Sequence, residues 1–159
     1  MLGAIVMGGA CACAGAAAAW ILRARTMELR AWQQALLAMR AACLYSRSTC
    51  AQVLRAGAAE ASCLLPIARA VELNGADAAR LFSAQKRSRL LRPEEHAVLL
   101  SALRCISAGT REEMAEALSY AAERYAAFCA ESEKKRDSDA RLYVTLGTLT
   151  GACVYLILL

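Results

Sequence analysis

The stretch LGAIVMGGACACAGAAAAWIL, residues 2–22, carries no charged side chain, and neither does LYVTLGTLTGACVYLILL, residues 142–159. All 19 basic and 14 acidic residues lie between Arg23 and Arg141. At about 1.5 Å rise per residue the two runs give helices of roughly 31 and 27 Å, close to the ~30 Å hydrocarbon core of a bilayer. The sequence therefore predicts an all-α, membrane-anchored helical bundle. A transmembrane helix is expected over residues 1–22, one cytosolic helical domain over 23–141, and a second transmembrane helix over 142–159.

Working outward from the runs, Arg23, Arg25, Lys134, Lys135, Arg136 and Arg141 flank their inner edges. Cations beside both spans place the connecting segment in the cytoplasm and the two termini outside. The first run has no positively charged n-region and two arginines follow it, so retention is expected rather than cleavage as a signal peptide. Gly147 and Gly151 form a small-xxx-small pair, which predicts close helix packing on the first run or on a second copy of the chain. Trp20, Tyr143 and Tyr155 suit interfacial anchors. The formal charge of +5 is accounted for by the flanks. Membrane lipid is thus the expected partner and nucleic acid is not.

The middle, about 119 residues, is long enough for one small core. It is rich in Ala, poor in Pro and free of alternating β-branched stretches, so helices are expected throughout. Leu29, Trp32, Leu36, Met39 and Cys43 recur at steps of three and four, which continues the first helix to Tyr45. Thr49 with Gln52 reads as a capping box opening a short helix, with Gly57 as its breaker. A helix over 62–73 tolerates Pro66 in its first turn and ends at Asn74 and Gly75. Asp77 caps a helix carrying Ala78, Leu81 and Phe82. Pro93 starts another, with Val98, Leu99, Leu103 and Ile106 as its inner face and Gly109 as its end. Thr110 and Glu113 form a second capping box. They open a long helix whose stripe is Met114, Leu118, Ala121, Tyr125 and Phe128. The Leu29 and Met114 stripes are natural partners.

No constellation for catalysis emerges, and neither a cofactor nor a metal is expected. The eight cysteines include no C-x-x-C pair, so they read as small buried hydrophobes rather than zinc ligands or disulfides. His96, alone of its kind, reads as an exposed surface residue. Glu94–Glu95 and Glu112–Glu113 follow helix starts, where the helix dipole explains them. Lys86, Arg87, Arg89 and Arg92 place four cations within seven residues. That cluster suits anionic lipid or an acidic partner, or serves only as a solvated helix end.

The ordering of these features resembles the stage III sporulation protein AB family. The resemblance is carried by Arg141-Leu-Tyr-Val-Thr-Leu-Gly-Thr-Leu-Thr-Gly151, and by an apolar start followed by Arg23, Arg25, Glu28-Leu-Arg30 and a Leu/Ala helix ending at Tyr45. The layout matches along the whole chain and the motifs match at the two ends. The chain resembles a divergent member: Ser46-Arg47-Ser48-Thr49-Cys50 stands where the family has glycine and then Thr-Pro-Leu. The resemblance implies a non-enzymatic platform component of a secretion-like channel between mother cell and forespore, in the mother-cell membrane. Its implied partners are a cytosolic ATPase of the same operon and other channel subunits, with a homo-oligomer as a further expectation. A different class also fits the residues: an oligomeric helical binding module whose apolar ends are buried in the assembly.

Overall fold

The computed structural model describes residues 2–45, 49–85 and 90–157, and within the two chargeless ends only part of the side chains. Among the described residues six helices follow in order: α1 (Leu2–Tyr45), α2 (Cys50–Ala58), α3 (Leu64–Asn74), α4 (Ala78–Ala84), α5 (Pro93–Ala108) and α6 (Arg111–Ile157). No strand occurs among the described residues. The chain divides into two compact units, one of Glu28–Cys129 and one of Met1–Met27 with Ala130–Leu159. Helices α1 and α6 contribute to both.

In the unit Glu28–Cys129 the expected stripes become the core. Leu29, Trp32, Leu36, Met39 and Cys43 of α1 are buried, as are Leu118, Ala121 and Tyr125 of α6. Met114 and Phe128 pack partly buried against that core. Each large apolar side chain so covered stabilises the fold by roughly 1.5–3 kcal/mol against leaving it in water. Trp32 meets Phe82 of α4 edge-on, with ring centroids 5.7 Å apart. The short helices pack in sequence, α2 on α3, α3 on α4 and α4 on α5.

Local chemistry sets the ends of these elements. Thr49 and Gln52 close a reciprocal capping box, with the Thr49 N–H donating to Gln52 Oε1 at 3.0 Å. Asp77 accepts from the Ala79 N–H at 2.9 Å. Thr110 and Glu113 form the second box, at 2.7 and 3.4 Å. Pro66 sits in the first turn of α3, where a missing N–H removes no intrahelical bond. Gly75, at φ 59°, stops α3 in the left-handed region that favours glycine.

Two expectations fail inside this unit. Gly57 does not break α2; it is a buried residue within the helix. A β-carbon there would lie 2.7 Å from Met39 Cγ, so glycine is what allows α2 to approach α1. His96 is half-buried rather than exposed, its ring stacked on Phe82 at 5.0 Å.

The expectation of two membrane spans also fails: among the described residues no helix is long and apolar enough to cross a membrane. Lack of charge and apolarity are different quantities. Leu, Ile, Phe and Val each favour the bilayer centre by roughly 0.3–0.6 kcal/mol. The first run is rich in Ala and Gly, and the second holds Thr and Gly among its Leu, Val and Ile. What the unit Met1–Met27 with Ala130–Leu159 does contain is a polar tie between α1 and α6. Buried Thr26 shares a 3.0 Å hydrogen bond with Ser132, and its hydroxyl also donates to the Leu22 carbonyl at 3.0 Å.

Candidate functional site

Several polar and nucleophilic groups of Glu28–Cys129 hold helices. Glu95, 1% exposed, accepts the Arg92 N–H at 2.6 Å, which caps α5. Its backbone carbonyl accepts the Tyr125 hydroxyl at 2.9 Å, which ties α6 to α5. Burial pushes the Tyr125 phenol well above its ordinary range, and the nearby Glu95 and Glu28 carboxylates push the same way. The thiols of Cys43 and Cys50 donate to the carbonyls of Arg111 (3.5 Å) and Ile106 (3.1 Å). Burial, aided by Glu28 and opposed by a backbone hydrogen bond, raises Cys63. A thiol held in its protonated form is a poor nucleophile. Cys13 and Cys153 are exposed rather than buried, unlike Cys43 and Cys129.

Against this stands one corner of the unit. The guanidinium of Arg111, in the first turn of α6, donates from Nε to the Cys43 carbonyl at 2.6 Å and from its terminal nitrogen to the Leu44 carbonyl at 2.8 Å. These are the last carbonyls of α1, which have no partner within their own helix. With its end fixed, α1 presents Tyr45 at 88% exposure and Leu44 at 45%. An aromatic side chain uncovered at a fixed helix end is the kind of anchor that carries binding energy at interfaces. Sequence reading missed Arg111. Its signal was a local misfit: a cation in a first turn faces the positive end of the helix dipole, so it needs a partner elsewhere. At the end of α1 the dipole favours it.

The residues singled out from sequence fall in different places. Arg23 is exposed and Arg25 half-buried. Lys134 and Lys135 are exposed and Arg136 is half-buried. Lys135 pairs with Glu131 at 2.6 Å and Arg136 with Asp137 at 2.7 Å, so this segment of α6 carries both signs. Arg92 is half-buried at the start of α5. The side chains of Arg141, Gly147, Gly151, Tyr143 and Tyr155, and all of Lys86, Arg87 and Arg89, lie outside the described residues. Among the described residues no group of three or more His, Cys, Asp or Glu is arranged to hold a metal ion.

The architecture defines an all-helical protein in which buried polar groups such as Thr26 and Tyr125 join its own helices and in which several large apolar side chains, Tyr45 and Trp20 among them, stand uncovered. The family model for stage III sporulation protein AB matches residues 1–159, the whole chain, and the chain belongs to that family. It is a sporulation protein family and not a known enzyme family. No curated protein and no solved structure matches the chain.

Proposed function

We propose that this protein is a non-enzymatic assembly component of a sporulation-specific, secretion-like channel, acting between mother cell and forespore. It docks a cytosolic ATPase on Glu28–Cys129 and meets other channel subunits through its apolar ends, which are buried in the protein assembly. The observation that carries the docking is the Leu44–Tyr45 corner, fixed by Arg111 and left uncovered. Membership of the sporulation family supports the setting. The engagement of Glu95, Tyr125, Cys43 and Cys50 in helix-to-helix bonds supports a role in contact rather than chemistry.

The test is titration calorimetry of the full chain against the ATPase encoded beside it. Binding at tens of micromolar or tighter is expected. Tyr45→Ala, which removes no core contact, should weaken it by about 2 kcal/mol, or roughly 30-fold. Binding that ignores Tyr45→Ala removes the corner from the docking surface. No binding by the unaltered chain removes the docking itself.

A further inference from the structure

Beyond the polar segment of α6, five described residues follow one another at steps of four, three, four and three: Leu142, Leu146, Leu149, Cys153 and Leu156. All five face solvent, the leucines at 54, 57, 63 and 71% exposure. This spacing is the a/d repeat of a coiled coil, in which each side chain fills a hole in a facing helix. A stripe of that length left open on a helix asks for a second helix along its full extent. We propose that the occupant is the same stripe of a second copy of this chain, the two α6 helices lying parallel and in register.

The flanks of the stripe argue for an identical partner. Positions beside an a/d seam normally choose the partner by charge. Here those described are Thr145, Thr150 and Ala152, and none can repel itself. The threonine hydroxyls are turned inward along their own helix. Thr145 donates to the Leu142 carbonyl at 3.1 Å, Thr148 to Thr145 at 2.9 Å and Thr150 to Leu146 at 2.7 Å. Each of these hydroxyl protons is thus used within its own helix. The neighbouring segment carries both signs within one helix, as Lys135–Glu131 and Arg136–Asp137, and lies outside the stripe. A heterologous acidic or basic partner would find no charge to read along this face.

In a parallel pair, Cys153 faces its own counterpart at an a position. This inference rests on the reading that the chargeless ends are buried in protein. It does not rest on ATPase docking, and the two fail in different measurements. The experiment uses the full chain with Cys153 as its sole cysteine, cross-linked by a short bismaleimide and sedimented from about 1 to 100 µM. The expected result is a covalent dimer and a concentration-dependent mass. Leu146→Asp with Leu149→Asp should raise the dissociation constant at least about tenfold, because each copy would bury two unpaired carboxylates. Leu73→Asp, an exposed leucine of the other unit, should leave it unchanged, and circular dichroism checks that each variant stays helical. A chain that stays monomeric across this range overturns the proposal. So does cross-linking that is indifferent to the paired aspartates, or a monomer that binds phospholipid vesicles instead.

Discussion

Helix α6 carries two stripes of the same spacing with opposite fates. In Glu28–Cys129 the stripe through Leu118, Ala121 and Tyr125 is covered, with Leu118 and Tyr125 at 0% exposure. In Ala130–Leu159 the stripe through Leu142, Leu146, Leu149 and Leu156 stands open at more than half exposure. Helix α1 shows a similar contrast, with Leu29 at 0% and Trp20 at 70%. The difference is what the rest of the chain supplies. The short helices α2 to α5 lie between the long ones in sequence and close over the inner stripe. Periodicity tells where a helix has an apolar face, but not who covers it.

The sharpest way to test the contrast is to truncate one large side chain in each region. Trp32→Ala, in the covered stripe, should cost about 3–5 kcal/mol of unfolding free energy. Leu149→Ala, at 63% exposure, should cost less than about 0.5 kcal/mol in the dilute monomer. Equal costs, measured by urea denaturation, would erase the distinction between the regions. Arg111→Ala should come next. It strands the carbonyls of Cys43 and Leu44 and should cost about 1.5 kcal/mol, with Arg111→Lys recovering only part, because an ammonium lacks the planar fork. Gly75→Ala should cost about 1 kcal/mol through its left-handed backbone alone, since a β-carbon there would meet nothing within 4 Å.

Two pH responses follow from the buried unit, with opposite signs. Tyr125 is pushed above its ordinary value of 10.0. Its contribution is therefore fully present below pH 10 and lost as pH rises beyond it, so alkaline unfolding should begin there and Tyr125→Phe should blunt the effect. Asp77 and Glu113 are held below their ordinary values, Asp77 first by the Ala79 N–H and Glu113 first by the Thr110 N–H. What they add is present above their unfolded values near pH 4 and lost as pH falls through the folded ones. Both carboxylates are exposed, so the acid effect should be the smallest seen. Thermal melts across pH 2–11 read all three.

Much of the fold was legible because caps and stripes are local. Thr49 with Gln52, Asp77, Pro93 and Thr110 with Glu113 each name a helix start, and the Leu29 stripe named the core side of α1. Gly57 misled because a glycine has two uses, and only the approach of Met39 shows that closeness, not flexibility, was needed. His96 misled because a first turn is usually solvated, whereas here Phe82 stacks on it. The chargeless ends misled most, because length and lack of charge alone were read as a membrane span. The Leu44–Tyr45 corner was out of reach for another reason: Arg111 is 68 residues from Cys43.

Maleimide labelling of the native chain, resolved by mass spectrometry for each cysteine, tests the contrast most directly. At sub-micromolar concentration Cys153 should react fast, while Cys43 and Cys129 should wait for unfolding. As concentration rises, Cys153 alone should become protected. A Cys153 that is silent at every dilution, or a Cys129 that reacts as fast as it does, would contradict the assignment of one stripe to the core and the other to a second copy.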